Sequence, residues 1–253
     1  MSLEIWLVND DPTQLLVQKR LLGRFADKVW EFSSPRRLLH HARKHGSCPN
    51  LVSDFHMPGM TGLELARLWC ELHVDARVLL VSASNLSVDE EREALFLPNT
   101  HVKLLSSFRL SELMRAAREW FVGDFEEWDE PEPTTASSLR YFDASVHSKL
   151  VTLGGNLFLR KALERFADRW PSRLQNFREA LRGSDFSGIY REAHSLKGSC
   201  GIVGADPLLK LADQLEAAAR REEPPEILDE LVNLIEETWK SSEDELDQVL
   251  KGL

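Results

Sequence analysis

The feature that most constrains the fold of this chain is a regular alternation of short and long apolar patterns in its first half. Short runs with the length and composition of strands fall at 4–8, 28–32, 50–53, 77–81 and 100–103. The segments between them carry apolar side chains at helical spacing. Because strands that alternate with helices form a parallel sheet, residues 1–121 are predicted to be a doubly wound, five-stranded α/β domain.

The second half of the chain shows helical spacing and no strand pattern. Helices are predicted at 144–153, at 156–182, around His194, from Asp206 and from about residue 226. Glycine, serine and proline breaks separate them. Asp206 is expected to cap its helix, with proline in the first helical position. Helices joined by short connections form a bundle, so residues 141–253 are predicted to be an all-α, four-helix-bundle domain.

The two halves are joined by a stretch of unusual composition. Residues 122–140 combine acidic side chains with Pro131, Pro133 and a run of threonine and serine. Acidic side chains repel one another and proline prevents regular structure, so this stretch is predicted to be an extended linker.

Composition excludes several classes of protein. The net charge is −10, and no basic stripe is present to release phosphate counterions, so nucleic acid is not an expected partner. No apolar run has the length of a membrane span, so no membrane association is expected. The three cysteines form no C-x-x-C pair, which favours a reducing, cytoplasmic location over a disulfide framework or a zinc site.

Polar residues follow four of the predicted strands where each strand ends. They are Asn9, Asp10 and Asp11, then Asp54, Ser82 and Lys103. The carboxyl ends of parallel strands meet at one edge of the sheet, so these side chains are expected to lie together. Clustered carboxylates repel one another, and Mg²⁺ with oxygen ligands would offset that repulsion. Asp54 could then attack phosphorus, with Lys103 and Ser82 stabilising the transferred group.

Two simpler interpretations stand beside this one. Asp10 and Asp11 could cap the helix that begins at Pro12, and Asp54 could cap a turn, since aspartate is a common capping residue. A separate metal site made of His40, His41 and His45 is conceivable by helical spacing, although no carboxylate lies near them in sequence.

The segment 51–62, Leu-Val-Ser-Asp-Phe-His-Met-Pro-Gly-Met-Thr-Gly, resembles the phosphoacceptor segment of response-regulator receiver domains, D-x-x-M-P-G-M-x-G. The resemblance covers about residues 1–121 and implies that Asp54 is phosphorylated. It implies that Mg²⁺ is held by Asp10, Asp54 and the backbone carbonyl of His56, with Asn9 and Asp11 acting through water. It also assigns Ser82 and Lys103 to the phosphoryl oxygens.

Three positions depart from the receiver pattern. Asn9 replaces an acidic residue, Leu104 replaces a proline, and Thr100 replaces an aromatic residue. The first departure removes a negative charge and predicts weaker binding of the cation. The other two put in doubt the usual coupling between phosphorylation and a change of surface.

The predicted helix around His194 has a regular apolar seam. It consists of Ile189, Ala193, Leu196, Cys200 and Val203. His194 lies one position off this seam and is therefore expected on an exposed helix face, beside Lys197, Gly198 and Gly201. Glycines inside a helix cost about 1 kcal/mol each relative to alanine. They either let another protein approach the ring closely or serve helix packing, and the local pattern favours neither.

The sequence Ala-His-Ser-Leu-Lys-Gly-Ser at 193–199, followed by Gly204-Ala205, is similar to the signature of histidine phosphotransfer (HPt) domains. The resemblance covers about residues 141–253. It implies that His194 is the phosphorylated residue and that Lys197 supplies a supporting charge. No nucleotide-binding loop accompanies it, so this half resembles a phosphate carrier and not a kinase.

Both resemblances predict a cytoplasmic intermediate of a two-component phosphorelay, a carrier and not an enzyme. It would pass phosphoryl groups between His and Asp residues, with an upstream sensor histidine kinase and other receiver or HPt proteins as partners. In one alternative the receiver is a degenerate interaction module attached to an active HPt domain. In another, weaker one, Asp54 and Mg²⁺ serve a phosphatase. The sequence leaves open the direction of flow and whether Asp54 and His194 exchange directly.

Overall fold

The computed structural model describes residues 2–46, 48–82, 92–94, 97, 101–106, 110–123 and 139–253. The chain folds into two compact units, 1–129 and 130–253, and each is described here by itself. Most of the predicted linker and Thr100 lie outside the described residues. The domain boundaries proposed from the sequence therefore stay predictions.

The first unit is built on a parallel five-stranded sheet with the order β2-β1-β3-β4-β5. Its strands are β1 (Glu4–Val8), β2 (Lys28–Phe32), β3 (Asn50–Asp54), β4 (Arg77–Ser82) and β5 (His101–Ser106). From β1 the chain continues to β2 on one side of β1, and then returns to β3 on the other side. β1 and β3 therefore flank the switch point, where ligands of such sheets bind. The predicted α/β class is confirmed.

Helices flank this sheet. They are α1 (Pro12–Leu22), α2 (Pro35–His45), α3 (Gly62–Leu72) and α4 (Leu110–Phe121). Fully buried Leu7, Leu51 and Leu79 occupy the sheet, and Trp69 of α3 is fully buried with them. Burial of side chains this large is the main stabilising term for the unit.

The predicted end of the fifth strand is wrong. β5 continues past Lys103 to Ser106, whose backbone lies opposite Ser82 in the register, while Lys103 lies opposite Leu79. The sequence prediction ended the strand at its first charged residue. Leu104 and Leu105, however, continue the strand pattern, and a charged side chain is tolerated on an edge strand.

The described residues of the second unit form helices joined by short connections, with no strand among them. Its helices are α5 (Ala144–Gly154), α6 (Asn156–Asp168), α7 (Trp170–Arg182), α8 (Phe186–Val203), α9 (Asp206–Arg220) and α10 (Pro225–Gly252). No helix in the described part of the chain has both the length and the apolar character needed to cross a bilayer.

Two details of the helix prediction are wrong. The single helix expected at 156–182 is interrupted at Arg169, because Pro171 has no backbone N–H and its ring clashes with the preceding turn. Asp206 is the first residue of α9, and Ala205 is its N-cap residue, with no side-chain cap. Trp170 begins the second of the two helices and stacks on Trp239 of α10, with ring centroids 4.5 Å apart.

The end of α8 is fixed by Gly204, which has a φ of +75°. A Cβ atom there would lie 3.0 Å from the Val146 side chain, so glycine is required both by conformation and by space. The Gly204 carbonyl accepts a hydrogen bond from Asp143 N at 2.8 Å, which ties the start of α5 to the end of the His194 helix.

Candidate functional site

The carboxyl group of Asp54 lies at the end of β3 and is 8% exposed. Burial raises its pKa well above the usual range, and the negative charge of Asp10 raises it further. Backbone N–H groups of His56 and Phe55 act in the opposite direction, and Asp11 adds a smaller repulsion. Asp54 and Asp10 are therefore close enough to repel each other at the switch point of the sheet.

The loop after Asp54 is held against the strand end by Gly62. Its N–H donates to the Phe55 carbonyl at 2.8 Å. A Cβ atom on Gly62 would lie 2.2 Å from the Asp54 carbonyl oxygen, so only glycine permits this approach. Thr61 and Glu64 form a capping box that starts α3 at this point. Gly62, the last glycine of the receiver-like motif, is therefore required by this close contact with the Asp54 backbone.

The residues after β1 have divided roles. Asp11 is the N-cap of α1, and its Oδ1 accepts from the N–H groups of Thr13 and Gln14 at 2.9 Å. Asn9 is buried; its Oδ1 accepts from Asp11 N at 2.8 Å, and its amide donates to Gln14 at 3.3 Å. Both side chains are thus engaged at the start of α1, which leaves Asp10 as the carboxyl group of this segment expected to contact a cation directly.

The donor set at this edge fits Mg²⁺. A buried Asp54 with a raised pKa next to Asp10 is an arrangement whose repulsion a divalent cation would relieve. Within the part of the chain that the structure describes, no three His, Cys, Asp or Glu side chains group as a metal site. The set expected from the resemblance has two carboxylates and a backbone carbonyl, so it does not need a third side chain. The alternative metal site at His40, His41 and His45 does not form.

The other two predicted residues of this site differ in their positions. Ser82 is buried at the end of β4, next to β3 in the sheet. Lys103 lies inside β5, three residues before the strand ends, and its Nζ donates to Glu119 Oε2 of α4 at 2.6 Å. Asp54 lies opposite Val81, and Val81 lies opposite Leu105, so the Lys103 backbone is two residues, about 7 Å, short of the level of Asp54.

His194 is 2% exposed, so the prediction of an exposed helix face is wrong. The reason is that its ring faces the neighbouring helix α9, where Glu216 Oε1 lies 2.8 Å from Nδ1. Tyr190, one turn earlier on α8, stacks near the ring with centroids 6.1 Å apart. Gly198, on the same face of the helix, is also buried.

Lys197 links the histidine to a pair of carboxylates. Its Nζ donates to Glu216 Oε2 at 2.9 Å and to Asp213 Oδ1 at 2.5 Å. Burial lowers the Lys197 pKa, but the hydrogen bonds to Asp213 and Glu216 outweigh burial, so the pKa is raised and the ammonium stays charged at neutral pH. Glu216, whose side chain is 4% exposed, thus accepts from His194 and Lys197 at once.

Sequence reasoning missed three neighbours of His194. Glu216 and Asp213 lie three residues apart on α9, and Tyr190 lies four residues before His194 on α8. The spacing of Tyr190 and of the two acids places each on a helix face. It does not reveal which face of α9 meets α8. Arg220 donates to the Tyr190 hydroxyl at 3.0 Å, which brings a second cation near this cluster.

The chain thus has a parallel sheet with a carboxylate pair at its switch point and a helical unit with a buried histidine. Residues 161–248 match the family model described as the Hpt domain. The helical unit is therefore similar to the Hpt domain over these residues.

Two curated relatives match most of the length of this chain. The chain is 22% identical over 219 residues to the aerobic respiration control sensor protein ArcB of Escherichia coli and to that of Shigella flexneri. The match covers 85% of this chain and 28% of those proteins, so the chain spans little more than a quarter of their length.

Solved structures similar to the chain include two of the chemotaxis protein CheY4 of Vibrio cholerae. They are 19% and 17% identical, cover 47% of this chain and 99% and 98% of their own, and give TM-scores of 0.41 and 0.39. The α/β class of the first unit follows from its own sheet order.

Proposed function

We propose that His194 is the phosphocarrier residue of this protein and that Asp54 is a second phosphoacceptor. The observation that carries the proposal is the hydrogen bond between His194 Nδ1 and the Glu216 carboxylate. A carboxylate can only accept, so Nδ1 carries the ring proton in this contact. The lone pair is then on Nε2, which becomes the nucleophilic atom.

Phosphorylation of His194 follows from this tautomer. Nε2 is buried in the structure, so the side chains around the ring must first move to admit a partner receiver. Nε2 then attacks the phosphorus of the partner's aspartyl phosphate, an N–P bond forms, and the bond from phosphorus to the aspartate oxygen breaks. The electron pair of that bond stays on the departing carboxylate. The ring gains positive character, which Glu216 stabilises through Nδ1–H. Lys197, one turn away, supplies positive charge for the phosphoryl oxygens.

Asp54 would take a phosphoryl group from a phosphohistidine. Its carboxylate oxygen forms the new bond to phosphorus while the N–P bond of the donor breaks and the donor imidazole keeps the electron pair. Bound Mg²⁺, held by Asp10, Asp54 and the His56 carbonyl, would supply positive charge that keeps Asp54 ionised. Ser82, buried at the end of the adjacent strand β4, would supply a hydroxyl to a phosphoryl oxygen.

A second candidate function is favoured by the position of Lys103. With its ammonium paired to Glu119, the strand edge lacks the cation that the receiver pattern assigns to the phosphoryl group. In this candidate the α/β unit is a regulatory interaction module and His194 is the sole phosphorylated residue. The two candidates share the role of His194 and differ only at Asp54.

We also propose the setting of this activity. The upstream partner would be a sensor histidine kinase, and the downstream partners would be other receiver or HPt proteins. The protein would act as a carrier, with no small-molecule turnover. Its three cysteines, all among the described residues, form no disulfide with one another, which supports a reducing cytoplasm.

Labelling with small phosphodonors tests the proposal. Acetyl phosphate with Mg²⁺ should label the wild type in a base-labile form that Asp54→Asn abolishes and Asp75→Asn retains. Phosphoramidate should label it in an acid-labile, base-stable form that His194→Gln abolishes. His147→Gln, which changes another buried histidine of the same unit, should retain that label. Loss of the base-labile label alone would leave the second candidate; an acid-labile label in His194→Gln would contradict both.

A further inference from the structure

The first unit contains a cavity of about 750 Å³ whose lining includes neither Asp10 nor Asp54. It lies between α1, the end of β2 and the length of α2. Its lining consists of apolar Leu15 and Phe32, polar Glu31 and Ser33, and the basic and imidazole side chains of Arg36, Arg37, His40, His41, Lys44 and His45. Sites for small molecules have roughly 300–1,000 Å³, so this cavity has the size of a ligand site.

The cations of this cavity are not neutralised. Among the residues that the structure describes, no carboxylate forms an ion pair with Arg36, Arg37 or Lys44. The one carboxylate in the lining, Glu31, pairs with Lys19 of α1 at 3.1 Å. The cavity therefore carries a local positive charge in a protein whose net charge is −10.

The fold does not need this charge. The first turn of α2 contains no acidic residue, and Arg36 and Arg37 stand there although cations at the start of a helix oppose its dipole. No acidic residue lies three or four positions away to stabilise the helix through side-chain pairs. The buried face of α2 is limited to Pro35 and Leu38. A bound anion would offset this unfavourable arrangement.

The other wall of the cavity is apolar and aromatic. Leu15 and Phe32 are buried beneath it. The His41 ring is fixed among aromatic side chains, with centroids 5.0 Å from Trp30, 5.4 Å from Phe32 and 4.6 Å from His45. Planar rings held in this way offer a stacking surface beside the guanidinium groups.

We propose that this cavity binds a nucleoside diphosphate. Arg36 and Arg37 take the phosphate oxygens, since guanidinium groups bind phosphate through paired hydrogen bonds, and Lys44 adds a point charge. The base lies against the imidazoles and the Leu15–Phe32 floor. This site is separate from Asp54 and His194, so it does not depend on their proposed roles.

Titration of the full-length protein with mant-ADP, in EDTA to exclude binding through Mg²⁺, tests the site. Trp30 lies beside the His41 ring, so energy transfer from tryptophan to the mant group reports occupancy. Arg36→Gln and Arg37→Gln should each weaken binding at least about tenfold, the loss expected for one charge-assisted hydrogen bond. Arg43→Gln is the matched control: it removes one charge from α2 outside the cavity and should change affinity less than about twofold.

Unlabelled ADP should displace mant-ADP, and inorganic pyrophosphate should do so at least about tenfold less well, since it lacks the stacking group. No saturable signal with the wild type would overturn the proposal. It would also be overturned if Arg43→Gln weakened binding as much as Arg37→Gln, since that result indicates general attraction to a basic helix. Equal displacement by pyrophosphate would overturn the nucleoside part.

Discussion

Replacing Glu216 with alanine should slow phosphorylation of His194 without unfolding the helical unit. The Glu216 side chain is 4% exposed and accepts from both His194 Nδ1 at 2.8 Å and Lys197 Nζ at 2.9 Å. Its removal takes away the acceptor that fixes the ring tautomer and stabilises the charge that develops on the ring. Lys197 keeps Asp213 as a partner, so its charge is not left unpaired.

The magnitude follows from the hydrogen bond that is lost. A hydrogen bond to a charged group contributes about 1.5–3 kcal/mol, and about 1.4 kcal/mol corresponds to a tenfold change in rate. Glu216→Ala should therefore slow labelling of His194 roughly tenfold to a hundredfold. Glu216→Gln keeps an acceptor oxygen and loses the charge, so it should fall between alanine and the wild type.

The assay is the rate of acid-labile labelling by phosphoramidate in an Asp54→Asn background, combined with ¹⁵N NMR of the His194 ring. The wild type should show the proton on Nδ1, and Glu216→Ala should show a mixture of both tautomers. Glu236→Gln is the matched control, because Glu236 also accepts from two cations, Arg178 and Lys240, at a distance from the histidine. Wild-type labelling and an unchanged tautomer in Glu216→Ala would refute the reasoning.

Three further predictions concern the α/β unit. Gly62→Ala should destabilise it by about 1–3 kcal/mol in urea unfolding, because the added Cβ meets the Asp54 carbonyl, whereas Gly23→Ala should be nearly neutral; equal effects would contradict the steric argument. Lys103→Ala should change stability by less than about 1 kcal/mol and leave acetyl phosphate labelling within about twofold; loss of labelling would place Lys103 at the reacting group. Burial raises the Asp54 pKa, so the folded state binds the proton more tightly and its stability falls as pH rises above about 4. Asp54→Asn should therefore raise the thermal midpoint at pH 7 without Mg²⁺ and not at pH 4, and equal midpoints at pH 7 would contradict the burial argument.

The strand–helix alternation predicted the α/β class and most strand bounds, because a buried parallel strand needs a continuous apolar run that periodicity reveals. The end of the fifth strand was predicted wrongly, because Lys103 interrupts the apolar run that Leu104 and Leu105 continue. Register is set by pairing with β4, and a single sequence does not contain that pairing. The predicted position of Lys103 failed for this reason.

The role of His194 was predicted from the resemblance to HPt domains, because spacing alone favoured neither interpretation, and its surroundings were not predicted. The apolar seam of α8 predicts which side of the helix packs against the core. It does not show that α9 also covers the adjacent position, His194. Glu216 lies 22 residues further along the chain, and its contact with His194 depends on how two helices pack. The helix break at Arg169 could have been predicted from Pro171, because helices rarely continue through proline.

The most direct test of the role of His194 is to identify the atom that carries the phosphoryl group. The full-length protein is labelled with phosphoramidate at alkaline pH, and the phosphorylated peptide is mapped by mass spectrometry and by ³¹P–¹⁵N correlation in NMR. The expected result is one N–P bond at Nε2 of His194, absent in His194→Gln. A phosphoryl group on Nδ1, which Glu216 occupies, or on another histidine with His194 unmodified, would contradict the proposed function.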